Sequence, residues 1–164
     1  MAFDFNADDV FEIAGQIEKN GTEFYRKASQ TVRDPEFVKL FIGLSEMEKE
    51  HYKTFSGIRS TLSDKQKSPT VFDPDEESAL YLKALADMRV FYKKQIDYSS
   101  VEAILLCAID AEKDSIVFYL GMVDIVPEKI GKERISDIIN EEKKHLKMLA
   151  GKLNALKKQN PSLK

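Results

Sequence analysis

The sequence predicts an all-α fold: a four-helix bundle made of two duplicated helical hairpins, joined by a long crossover with an extra helix. Three observations carry that prediction. Apolar residues recur at steps of three and four through four long stretches. The chain has only 7 glycines and 5 prolines, and the prolines fall between those stretches or at their first positions. Finally, the chain repeats itself. A Glu at 18 and a Glu-x-x-His at 48 and 51 recur at 112, 142 and 145, an offset of 94 residues at every position. The first hairpin spans about 6–62, the crossover about 63–98 and the second hairpin about 99–158, all within one domain of 164 residues.

Helix 1 starts from Asn6 as N-cap, with Asp8 and Asp9 in the first turn, where the helix dipole favours acids. Val10, Ala14, Ile17, Gly21, Phe24 and Ala28 form an inward stripe, and Phe11, Glu18 and Tyr25 lie on an adjoining one. Taken alone, Glu18 also reads as a boundary carboxylate that reaches solvent. Asp34 caps helix 2 with Pro35 at its first position. Its buried stripe runs Phe37, Phe41, Leu44, Glu48, His51, Phe55, Ile58, Leu62, so Glu48 and His51 interrupt apolar surface at its middle. Glu46 and Glu50 lie off that stripe and read as solvated charges.

Residues 63–75 read as a linker, and Asp73-Pro74-Asp75-Glu76 restarts a helix. Ala79 to about Tyr92 is a further helical stretch that returns the chain for a second hairpin in parallel sense. Its surplus apolar residues, with Phe91 and Tyr92, suit packing on the bundle or a dimer interface. Ser99-Ser100-Val101-Glu102 predicts a capping box for helix 3. Val101, Leu105, Ala108, Glu112, Ser115, Tyr119 and Met122 follow on one face, while Cys107 reads as a small core residue. Pro127 breaks the chain before helix 4, whose inner stripe is Ile135, Ile138, Glu142, His145, Leu149, Leu153 and Leu156.

Residues three apart on a helix share a face, so a carboxylate and an imidazole so placed can grip one metal ion. Both histidines of the chain stand in that pattern. Two hairpins packed face to face would bring Glu18, Glu48, His51, Glu112, Glu142 and His145 to one interior point. Four buried carboxylates are costly unless compensated. Two divalent ions cancel four negative charges, a match that favours a redox-active iron pair over one structural zinc. Oxygen and imidazole donors suit iron, with manganese as the other candidate. One Glu-x-x-His pair would serve each ion, with Glu18 and Glu112 terminal or bridging. Tyr25 and Tyr119 stand seven residues after Glu18 and Glu112, on nearly the same face. Each hydroxyl either reaches a ligand carboxylate or belongs to an ordinary core tyrosine. Gly21 and Ser115, one turn past the single glutamates, leave space for O₂ or peroxide or simply allow close helix packing.

The net charge of −3 makes no electrostatic case for nucleic acid or an anionic membrane. No apolar run approaches the roughly 20 residues of a membrane span. The N-terminus lacks a basic start and an apolar core, so no signal peptide is expected and a cytoplasmic location is the default. The single cysteine excludes an intramolecular disulfide and any all-Cys site within this chain.

With Glu18, Gly21 and Phe24-Tyr25, Glu48-x-x-His51, Glu112 with Phe118-Tyr119, and Glu142-x-x-His145, the sequence resembles the rubrerythrin branch of the ferritin-like superfamily. The resemblance covers nearly the whole chain. It implies a di-iron oxidoreductase that reduces hydrogen peroxide or O₂ with electrons from Fe(II) or a separate redox partner, and a homodimer. Two departures stand out. Rubrerythrins with a rubredoxin-like Cys₄ domain carry their own electron donor, which one cysteine rules out here, so a separate donor protein is implied. Those proteins also place an extra Glu three residues after the helix 3 Glu, where this chain has Ser115. The resulting symmetric set, four Glu and two His, is also found in bacterioferritin. It leaves a ferritin-type iron-binding or storage protein with ferroxidase activity as the alternative. From the short C-terminal tail, no fifth helix for the usual storage shell is expected.

Overall fold

The computed structural model describes residues 6–66, 80–82, 84–85 and 95–160. Four long helices dominate: α1 (Ala7–Thr31), α2 (Pro35–Ser60), α3 (Val101–Ile125) and α4 (Lys132–Gln159), with one 3₁₀ turn at Glu128–Ile130. Among the described residues there is no strand. The helix starts follow local chemistry. The Asn6 side chain accepts from the Asp8 and Asp9 amides at 2.8 and 3.2 Å, and the Asp9 carboxylate accepts from the Asn6 amide at 3.0 Å. This closes a capping box that satisfies donors no helical carbonyl can reach. Asp34 accepts from the Glu36 amide at 2.8 Å, with Pro35 beginning α2. Gly131 at φ 118° lets the chain turn sharply out of the 3₁₀ segment into α4.

The start of α3 differs from expectation. Ser100, not Ser99, is the N-cap, accepting from the Ala103 amide at 3.1 Å. The Asp97 carboxylate captures both the amide and the hydroxyl of Ser99, at 2.9 and 2.5 Å. An ionised acceptor two residues back outcompetes a helix terminus for that serine. Glu102 therefore falls one place early for the reciprocal half of a capping box and pairs with Lys157 at 3.5 Å.

Two apolar cores lie at opposite ends of the bundle. One joins the beginning of α1 (Val10, Phe11, Ala14), the end of α2 (Phe55), the end of α3 (Phe118, Met122) and the beginning of α4 (Ile135, Ile138). The other joins the end of α1 (Phe24, Ala28), the beginning of α2 (Phe37, Phe41, Leu44), the beginning of α3 (Ile104, Leu105) and the end of α4 (Leu149, Leu153). These memberships make α1 antiparallel to α2 and α3, while α3 runs parallel to α2. The connection from α2 to α3 must therefore travel the length of the bundle, as the parallel-sense crossover requires. Most of it, including residues 67–75 of the expected 63–75 linker, lies outside the described residues. Residues 80–82 and 84–85 are helical, and Leu82 is fully buried against the first core. A Cβ at Gly121 would stand 2.7 Å from Leu82 Cδ2, so the glycine gives the crossover its seat on α3. Ile58, before the buried Leu62 in its stripe, and Leu156, at the end of its own, are only half-buried.

Candidate metal centre

Between the two apolar cores lies a layer of ionisable groups. Glu18, Glu48, His51, Glu112, Glu142 and His145 are all at most 3% exposed. Each comes from mid-helix: Glu18 on α1, Glu48 and His51 on α2, Glu112 on α3, Glu142 and His145 on α4. The stripe that buries the flanking phenylalanines and leucines buries these residues too, because they share its face. All six expected positions meet in one place.

Their ligand atoms form two overlapping groups, each with its atoms within 4.8 Å of one another: Glu18, Glu48, His51 and Glu142, and Glu48, Glu112, Glu142 and His145. Glu48 and Glu142 belong to both groups, whereas Glu18 and Glu112 belong to one each. The Glu142 carboxylate spans the two imidazoles, with Oε1 2.9 Å from His51 Nδ1 and Oε2 3.0 Å from His145 Nδ1. His51 Nδ1 also lies 3.5 Å from Glu18 Oε2, and His145 Nδ1 lies 3.4 Å from Glu48 Oε1. The rings stack with centroids 5.8 Å apart.

The tyrosines cross between hairpins. Tyr25 on α1 donates to Glu112 Oε1 at 2.5 Å, and Tyr119 on α3 donates to Glu18 Oε1. Each serves the single Glu of the opposite hairpin, so these contacts tie hairpin to hairpin at the polar layer. Burial raises the Tyr119 phenol well above its ordinary range, reinforced by the Glu18 charge. It therefore remains a proton donor.

Burial also raises the Glu18 and Glu112 carboxyls well above the usual carboxylate range, with the negative neighbours Glu48 and Glu142 adding to it. Burial pulls the imidazoles down, but the facing carboxylates of Glu142 and Glu18 at His51, and of Glu112 and Glu142 at His145, prevail and push each up to about 12. Burial works against ionised Glu142 as well, yet its contacts with Glu112, His145 and His51 hold it below its ordinary value. Without metal, protons do the charge balancing. That compensation is incomplete as hydrogen bonding: Glu18 Oε2, Glu48 Oε1, His51 Nδ1 and Glu142 Oε1 are buried without a hydrogen-bond partner. Buried acceptors in native folds are nearly always satisfied. Four inward-facing donor atoms lacking partners fit hard or borderline divalent ions.

The residue that sequence patterns missed is Glu141. Its half-exposed carboxylate lies 2.7 Å from His51 Nε2, on the ring edge facing away from the cluster. The signal available was adjacency to Glu142, a Glu-Glu-x-x-His run. The internal repeat hides it, because the position 94 residues earlier is Met47. Gly21 holds the second detail. A Cβ there would stand 3.0 Å from Glu48 Oε2, so the missing side chain is space taken by the Glu48 carboxylate. Ser115, its counterpart, is buried and donates back to the Ala111 carbonyl at 2.9 Å.

No protein-family model matches the chain, and no curated protein matches it. Among solved structures, it is similar to a crystal structure from Thermotoga maritima of a protein described as ferritin-like and diiron-carboxylate. The TM-score is 0.67 at 24% identity, covering 91% of this chain and 95% of the other. The fold is thus that of the ferritin-like helical bundles. Among the described residues, no helix is long and apolar enough to cross a membrane.

Proposed function

We propose that the chain is a di-iron carboxylate oxidoreductase of rubrerythrin type, reducing hydrogen peroxide or O₂ with electrons from Fe(II) or a separate redox protein. The observation that carries this reading is the pair of overlapping buried donor groups sharing Glu48 and Glu142. Two metal ions held side by side by these overlapping groups would suit a two-electron reaction. The Thermotoga maritima neighbour, described as a diiron-carboxylate protein, supports iron as the metal; manganese fits the same donors. A bound iron pair would supply one electron per ion, which balances the cleavage of one peroxide O–O bond to two waters with two protons. In this assignment Glu48 and Glu142 would serve both ions, Glu18 with His51 and Glu112 with His145 would complete the two positions, and Tyr119 and Tyr25 would orient the Glu18 and Glu112 carboxylates. The apolar cores on either side exclude water and keep the site dry. We place the protein in the cytoplasm as a homodimer.

The decisive experiment is an anaerobic Fe(II) titration of metal-stripped protein, read as bound iron per chain. A break at two is expected, followed by faster oxidation with peroxide than with O₂. Absence of saturable binding overturns the reading. Ser115, in place of an additional carboxylate, favours the ferritin-type alternative, and particle mass separates the two: a dimer of 18.7 kDa chains supports the enzyme, a hollow shell the storage protein.

A further inference from the structure

The six buried ligand candidates obey the internal repeat, but the groups behind the two histidines do not. His51 Nε2 has the Glu141 carboxylate at 2.7 Å. His145 Nε2 is buried and has no hydrogen-bond partner. The repeat explains the difference: the position equivalent to Glu141 on α2 is Met47, whose thioether cannot stand in for a carboxylate. A carboxylate accepting from Nε2–H fixes the tautomer that leaves the Nδ1 lone pair facing inward, and it raises the basicity of that nitrogen. His145 receives neither help.

We infer that the two metal positions are unequal, with the one formed by Glu18, Glu48, His51 and Glu142 filling first because Glu141 orients and polarises His51. This rests on the dinuclear reading above. Glu141 is a positioning residue, acting through His51 and touching no metal itself. Loss of such a partner typically costs about 10–100-fold in metal affinity. The two positions should therefore differ by a factor of that size in this chain.

The test is titration of the metal-stripped chain with Co(II) alone, followed by calorimetry and visible absorbance. The unsubstituted protein should show two steps, the first about 10–100-fold tighter than the second. Glu141→Ala should weaken the tighter step by the same factor and leave the weaker step in place. Glu141→Gln, which keeps an acceptor oxygen but not the charge, should fall between. A general folding defect would weaken both steps together, so the selective loss distinguishes positioning from structure. Two equal steps, or a tighter step that Glu141→Ala leaves unchanged, would overturn the inference while the dinuclear site survived. Absence of any saturable Co(II) binding would remove the dinuclear site, and the inference with it.

Discussion

At Gly21 the backbone of α1 passes so close to Glu48 that a methyl group would meet Oε2 at 3.0 Å and Cδ and Cγ at 3.3 Å. Substitution to alanine therefore acts in opposite directions on two properties. Alanine favours a helix interior over glycine by roughly 1 kcal/mol, so the metal-free helix gains propensity. Glu48, which belongs to both donor groups, must shift by some tenths of an ångström, and both positions suffer. Gly21→Ala should hold its metal-free melting temperature yet bind Fe(II) about tenfold more weakly, within the range seen when ligand orientation is disturbed. Equal affinity in the two proteins would show that Glu48 has room to spare. The crossed tyrosines act on the same scale. With one oxygen of Glu112 held by Tyr25, and one of Glu18 by Tyr119, each of these carboxylates is anchored from the opposite hairpin.

The helices divide the work unequally. α2 and α4 each supply an imidazole and a carboxylate shared by both groups, whereas α1 and α3 each supply a carboxylate confined to one. Removing Glu18 should leave a single position intact, so Glu18→Ala is expected to bind one Fe(II) per chain, while Glu48→Ala binds none with comparable affinity. Equilibrium dialysis with iron analysis distinguishes these outcomes, and one retained ion in Glu48→Ala would contradict the bridging assignment. The inward stripes, the Asn6 and Asp34 caps and the repeated Glu-x-x-His pairs were legible in the sequence because each depends on local spacing along one helix. What was not legible depends on distance between helices. Spacing shows Glu48 on the inner face of α2, but only packing shows that Glu142 reaches both histidines, that Tyr25 serves the opposite hairpin, and that Glu141 lies behind His51. Ser99 failed for a local reason: Asp97 offered a stronger acceptor than the pattern of a capping box takes into account.

For the whole molecule, the polar layer sets how stability responds to pH, and metal reverses the response. In the metal-free protein Glu18 and Glu112 hold protons more tightly than the ordinary carboxyl value of 4.5, and His51 and His145 hold theirs up to about 12 against an ordinary 6.5. Folding thus takes up protons at these four groups above the ordinary carboxyl value, and stability must fall as pH rises. For the histidines, the contribution is complete below their ordinary value and is lost as pH climbs toward about 12. Glu142, held below 4.5, has the opposite sign, contributing above its ordinary value and losing that contribution as pH falls, so it opposes the trend only in acid. Metal binding needs the same lone pairs without their protons, so affinity rises with pH and carries the folded state with it. Between roughly pH 6 and pH 9, thermal melts of the metal-free chain should move down while melts with saturating Fe(II), kept anaerobic, should stay level or move up. The two curves should separate steadily with pH. A metal-free melting temperature that rises across this range would mean that the buried carboxylates are already ionised and balanced by something other than protons, and the charge scheme of the polar layer would have to be redrawn.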